Sequence, residues 1–228
     1  TTLLIAADRG LQAVPFAALS DGQRYFGDRY AFSITPSLAL TDLSTSADPG
    51  QRRLALGASK FKGLAALPLV PQELDRIGPA ANKDLFLNEE FTPDRFLEKA
   101  GEPTYNQLHV ATHAEFKPGG PDASQLHSGI GPISMGQLAK LRKERQGVPL
   151  DLVVFSACRT ALGDANAELG FSGLALQAGA RSAVGTLWYV DDVVTSAYFV
   201  QMYIFLDKGI PKAEAMQLTR QAFVRNLV

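Results

Sequence analysis

The sequence predicts an α/β protein, a mostly parallel central sheet flanked by helices, and three observations carry that prediction. Short apolar runs alternate with helical segments along the chain, the order of repeated strand, helix, strand units. Runs such as Val153-Val-Phe155 are continuous rather than alternating, as in strands buried on both faces. Of the 228 residues, 46% are hydrophobic, enough for a substantial core in one compact unit spanning 1–228.

Taken in order, Leu3 to Ala7 predicts a strand closed by Asp8-Arg9-Gly10, and Val14 to Leu19 a second sheet element ended by Ser20-Asp21-Gly22. Tyr30 to Ile34 alternates as a strand, and Pro36 suits the first turn of a helix through Leu43, followed by a loop from Ser44 to Gln51. Leu54 to Ala58 is a core strand, Pro71 to Ile77 a helix, and Asp84 to Leu87 another strand. Thr92 with Pro93 opens a helix through Ala100 that stops at Gly101. Asn106 to Thr112 is a strand, and its period of two puts His109, Ala111 and His113 on one face. The stretch from Ala114 to Pro132, rich in Gly, Pro, Asp and Ser, is long enough to be a functional loop. Ser134 caps a helix from Met135 to about Arg145, and the strand Asp151-Leu-Val-Val-Phe-Ser-Ala-Cys-Arg-Thr160 follows. After a loop, Ala167 to Ala178 is a helix ended by Gly179, and Arg181 to Leu187 a strand. Asp191 caps a helix through Leu206, and Pro211 starts the last one.

Composition removes several classes of function. A net charge of −1 supplies no basic field for nucleic acid or an acidic membrane surface. One cysteine makes no internal disulfide, and three histidines are a thin supply for zinc. No apolar run approaches the roughly 18 residues of a membrane span, and the opening apolar run is too short for a signal peptide. These absences make a cytoplasmic location the default. With no initiator Met, and with helical periodicity running to Val228, the chain reads as a piece of a longer polypeptide.

Cys158 ends a predicted strand beside Arg159 and Thr160. Most free cysteines are simply small buried residues, but His113 also closes a strand, and strand ends on the same edge of a parallel sheet bring their side chains together. A nucleophile and a base are the minimum for thiol catalysis. The other histidines read as structural: His109 as a satisfied core residue, His127 as an exposed loop residue. The i, i+4 spacing of His109 and His113 falls in a strand, where it aligns no metal site. Gly170-Phe-Ser-Gly173 has its second glycine one place early for a hydrolase elbow and reads as helix packing. No cofactor is expected.

Leu108-His-Val-Ala-Thr-His-Ala-Glu-Phe116 and Val153-Val-Phe-Ser-Ala-Cys-Arg-Thr-Ala161 resemble the histidine and cysteine boxes of CHAT domains, caspase-like peptidase relatives often fused to tetratricopeptide repeats. Leu11 to Leu19, Ala167 to Ala175 and Gly179 to Trp188 match in the same order across nearly the whole chain. The resemblance implies the caspase-like three-layer fold with His113 and Cys158 as its dyad. Cys158 then attacks a scissile carbonyl as thiolate, favoured by positive charge from His113 and Arg159. His113 promotes the thiolate or protonates the leaving amine. Backbone N–H groups of Ala114 and Cys158 are the expected oxyanion donors. Ala114 replaces the glycine usual in the family, at a cost of roughly 1 kcal/mol if φ there is positive. By similarity to separases, Trp188 and Asp192 are candidate specificity residues, Asp192 selecting Arg or Lys through a charge-assisted pair.

The function so implied is a cysteine endopeptidase acting on a protein or peptide substrate and controlled by a regulatory partner or an adjoining repeat domain. A catalytically silent scaffold is the alternative, and a thioesterase or acyl transferase with the same dyad a further one.

Overall fold

The computed structural model describes residues 1–7, 11, 14–35, 41, 52–115, 121–157, 173, 175–176, 178–187 and 190–228. They fall in two compact units, one of Thr1–Ala47 with Ala197–Val228, the other Asp48–Ser196.

In the first unit, strand β1 (Thr2–Ala6) pairs in parallel with β2 (Ala31–Thr35), Thr2 opposite Ala31 and Ala6 opposite Thr35. A short helix α1 (Phe26–Arg29), not foreseen from the sequence, precedes β2. The carbonyls of Gly27 and Asp28 accept from Arg220, Gln217 and Gln221 of the last helix. Val14 to Leu19 is not a sheet element. Pro15 lacks an N–H for a ladder, and the segment closes a 3₁₀ turn, Phe16–Ala18, with Ala18 N–H donating to Pro15 O at 2.8 Å. The Ser20-Asp21-Gly22 turn forms as expected, with Asp21 Oδ1 accepting from the N–H groups of Gln23 and Arg24 and Gly22 at φ +90°.

The second unit carries the predicted parallel sheet. Its strands are β3 (Arg53–Gly57), β4 (Lys83–Leu87), β5 (Gln107–Ala111), β9 (Leu152–Ser156) and β10 (Ala183–Val184), in the order β10-β9-β5-β3-β4 and all parallel. Every residue of β3, β5 and β9 is buried, the physical reason their sequences are mainly apolar; Arg53, Gln107, His109 and Ser156 are the polar residues among them. Leu54, Leu56, Leu108, Val110, Val153 and Phe155 contribute to a core packed with Phe91, Phe96, Leu138 and Leu141. Helices α2 (Val70–Arg76), α3 (Pro93–Gly101) and α4 (Leu138–Glu144) belong to this unit. Thr92 caps α3 as expected, its side chain accepting from Arg95 N–H at 3.1 Å.

Four expectations for this unit need correction. The loop from Ala114 to Pro132 contains strand structure, an antiparallel sheet of β6 (Ala114–Glu115), β7 (Gln125–His127) and β8 (Pro132–Ser134). His127 therefore sits in a strand and is half-buried, not an exposed loop residue. The helix from Met135 begins as a 3₁₀ turn, Met135–Gln137, before α4. Only Ala183–Val184 of the predicted strand Arg181 to Leu187 pairs with β9. The predicted helix from Pro36 and most of that from Ala167 to Ala178 lie outside the described residues.

Asp191 caps α5 (Asp192–Leu206), its Oδ1 accepting from the N–H groups of Val193 and Val194. Helix α6 (Lys212–Val224) follows Pro211. Among the described residues no helix is long and apolar enough to cross a membrane.

Candidate active site

The carboxyl edge of the five-stranded sheet positions the candidate residues. Gly57, Ala111 and Ser156 end β3, β5 and β9 in register, Gly57 opposite Ala111 and Ala111 opposite Ser156. In such sheets the space beyond the strand ends is the usual ligand crevice. His113 follows Ala111 by two residues, and Cys158 follows Ser156 by two. Cys158 and Trp188 lie outside the described residues, as do Arg159 and Thr160.

The turn that carries His113 is held on both sides. Thr112 N–H donates to Ser156 O at 3.3 Å, and Thr112 Oγ1 donates to His127 O. His127 N–H returns a bond to His113 O at 3.0 Å. With Ala114 opposite Leu126, that backbone bond places 113 opposite 127, one position before the β6–β7 ladder. Ala114, opposite Leu126, then sits at the next, non-bonded position, where the backbone N–H turns away from the partner strand. Positive φ among the described non-glycine residues is confined to Asn88, Gln146 and Asn226, so alanine at 114 carries no left-handed strain.

The half-buried His113 ring packs against Phe61, with ring centroids 4.7 Å apart and planes at 57°. Its Nε2 lies 2.7 Å from the carbonyl oxygen of Ala65. A carbonyl only accepts, so Nε2 carries the proton and Nδ1 is the ring's remaining nitrogen. In the neutral ring Nδ1 holds the lone pair, the state a base needs.

The chain from 59 to 69 makes both of these contacts. It starts at Ser59, whose N–H and hydroxyl both donate to Asn88 Oδ1, and it turns back through Leu67 N–H to Ser59 O at 3.0 Å. It ends at Leu69, whose N–H donates to Asp192 Oδ2 at 3.1 Å. Asp192, at the start of α5, is thereby placed on the same segment that holds His113. Burial pushes the Asp192 carboxyl above its ordinary range, opposed by the Leu69 N–H; Glu73 and Asp191 raise it further, and His113 pulls it down.

His109 is entirely buried in β5, its Nε2 2.8 Å from Oε1 of the equally buried Glu73 in α2. The core reading of His109 thus has a specific partner. Phe61, Ala65, Leu69 and Glu73 were not singled out from the sequence. For Glu73 a signal exists, because it falls within the apolar stripe Val70, Leu74, Ile77 of its helix. For the Ala65 carbonyl and the Leu69 N–H there is none.

A family model described as CHAT domain matches residues 1–227 of the chain. No curated protein matches it.

Proposed function

Because the chain belongs to the CHAT domain family, a caspase-like family related to cysteine peptidases, we propose that it is a cysteine endopeptidase with His113 and Cys158 as its dyad. The observation that supports this most is the fixed His113 ring. Ala65 O takes its Nε2–H at a sheet edge where β5 and β9 end in register, each two residues before a member of the dyad.

In this reading the Cys158 thiolate attacks the scissile carbonyl carbon, and the C=O π electrons move to oxygen. The oxyanion is met by the N–H of Ala114 and the N–H of Cys158. As the tetrahedral intermediate collapses, His113 gives the departing amine the proton that Nδ1 took from the Cys158 thiol, and water, losing a proton to Nδ1, later releases the acyl group from sulfur. The Ala65 carbonyl keeps the ring oriented through both steps. The substrate is a protein or peptide, and activity is controlled by a regulatory partner or an adjoining repeat domain. The discriminating test is incubation with an electrophilic peptide under activating conditions. Stoichiometric labelling at Cys158 is expected, whereas a protein that binds partners but never labels is a silent scaffold.

Asp192 and Trp188 select the residue before the scissile bond, Asp192 favouring Arg or Lys. Asp192 Oδ2 is used by Leu69 N–H, and the carboxylate is raised by burial and by two neighbouring carboxylates, the environment in which an incoming cation is welcome. The sign of the pH effect follows. A carboxyl whose folded pKa is raised protonates earlier as pH falls, so preference for basic residues fades at a higher pH than an ordinary aspartate allows. The same shift means the ionised form burdens the fold at neutral pH and that acidification relieves it. Asp192→Asn keeps an acceptor for Leu69, so it is expected to melt at a slightly higher temperature than wild type while losing discrimination between Arg and uncharged residues. Peptide-library digestion alongside thermal melting checks both. An unchanged cleavage pattern removes Asp192 from specificity.

A further inference from the structure

Two segments of the second unit meet at two levels. The first is the run 107–113, which holds His109 in β5 and His113 just beyond it; the second is the run 65–73, which leads into α2 and includes its first turn. They are joined at His113 by Ala65 O, at 2.7 Å, and at His109 by Glu73 Oε1, at 2.8 Å. The two histidines are four residues apart, a span of at most about 13 Å. Between the two contacts Leu69 N–H binds Asp192.

What sets the height of Ala65 against His113 is therefore the seating of α2. The lead-in is anchored at Ser59, Leu67 and Leu69, but the stretch around Ala65 packs little. Residues 62–66 are exposed, and Leu64 keeps 42% of its surface in water. The apolar stripe Val70, Leu74, Ile77 buries α2, but apolar contact is non-directional and tolerates a slide or a rotation. Directional bonds hold α2 at two places: toward its carboxyl end Lys83 Nζ donates to Leu74 O at 2.6 Å and Arg53 Nη1 to Ile77 O at 2.5 Å, and at its first turn Glu73 bonds His109 of β5, the contact nearest to Ala65 and Leu69. Both side chains are closed to water, with exposures of 1% and 0%, so the pair costs desolvation that a matched apolar pair avoids. A polar pair in that position fixes register.

We propose that Glu73 and His109 are positioning residues: their buried hydrogen bond locks α2 to β5 so that Ala65 O stands at His113 Nε2 and Leu69 N–H at Asp192. The proposal rests on the reading of His113 as the general acid and base, but its readout is the His113 ring itself and needs neither Cys158 nor cleavage. Glu73 also acts electrostatically on Asp192, raising its carboxyl, which places it within influence of the same group that Leu69 binds.

The test is the tautomer of His113, read from its ring nitrogen shifts in the full chain, in variants whose folding is checked by circular dichroism. Glu73→Gln keeps the reach and an acceptor oxygen, and the Nε2–H form is expected to persist as in wild type. Glu73→Asp keeps the charge but withdraws the carboxylate by one methylene, and the fixed tautomer is expected to give way to a mixture. The double replacement Glu73→Leu with His109→Leu keeps the packing without the bond, and the same loss is expected. If the protein cleaves peptides, kcat falls by about 100-fold in the last two variants with KM little changed. A folded Glu73→Asp or double-leucine protein that keeps the wild-type tautomer overturns the proposal, since the pair then only fills space. Loss of the tautomer in Glu73→Gln overturns it as well, because charge rather than position would then be what matters.

Discussion

Cys158→Ala is expected to abolish peptide cleavage altogether, and His113→Ala to lower it by roughly 10²–10⁴-fold, because in the proposed mechanism the first removes the attacking atom and the second the proton donor for the leaving amine. The two losses should differ in kind. Without the sulfur no acyl intermediate forms, so an electrophilic peptide leaves Cys158→Ala unlabelled under any condition. Without the imidazole the thiol remains, and labelling persists at a slow rate that rises with pH as free thiolate accumulates. His113 also packs against Phe61 and holds Ala65 O, so His113→Ala loosens the 59–69 segment and is expected to lower the melting temperature slightly. His113→Gln has a donor of similar reach but no titrating nitrogen. Recovery of thermal stability in that variant without recovery of cleavage separates the chemical task of the ring from its packing. Wild-type cleavage by Cys158→Ala sinks the mechanism, whatever the family.

How much of this was legible in the sequence depends on distance along the chain. β3, β5 and β9 were readable because burial on both faces leaves a local mark, a short and mainly apolar run. The Thr92 and Asp191 caps were readable because a cap acts on N–H groups two or three residues away. The groups that orient His113 act across 48 residues from Ala65, and Glu73 reaches His109 across 36. Leu69 reaches Asp192 across 123. A backbone carbonyl or N–H carries no residue signature, so neither the Ala65 nor the Leu69 contact could be marked. Glu73 did leave a mark, a carboxylate on the inward stripe of α2, which asks for a buried partner. The 3₁₀ turn at Phe16–Ala18 misled in the opposite way, because its apolar composition resembles a strand while Pro15 denies it a ladder bond.

Arg145 is where the sequence was least informative and where stability is expected to suffer most. It reads as the end of a solvated helix, with Arg142 and Lys143 before it, yet it is 1% exposed. Its guanidinium donates to four backbone carbonyls: Nε to Val148 O at 3.0 Å, Nη1 to Ala100 O at 2.9 Å and Glu102 O at 2.7 Å, and Nη2 to Tyr105 O at 2.6 Å. Burial lowers its pKa. Ala100 and Glu102 lie at the carboxyl end of α3, where carbonyls lack helical partners, and Tyr105 stands two residues before β5. The side chain thus ends one helix and starts the strand that carries His109 and leads to His113. Arg145→Met keeps much of the stem volume but leaves four acceptors without their donor, a loss of about 3–5 kcal/mol. At roughly 2–4 °C per kcal/mol for a chain of this size, the melting temperature falls by about 10 °C. Arg145→Lys is expected to recover little, because a single ammonium presents three donors from one point and cannot span carbonyls arranged around a planar fork. Thermal melting of the two variants decides the matter. If Arg145→Met melts within about a degree of wild type, water replaces the guanidinium at those carbonyls and the fork is not what joins α3 to β5.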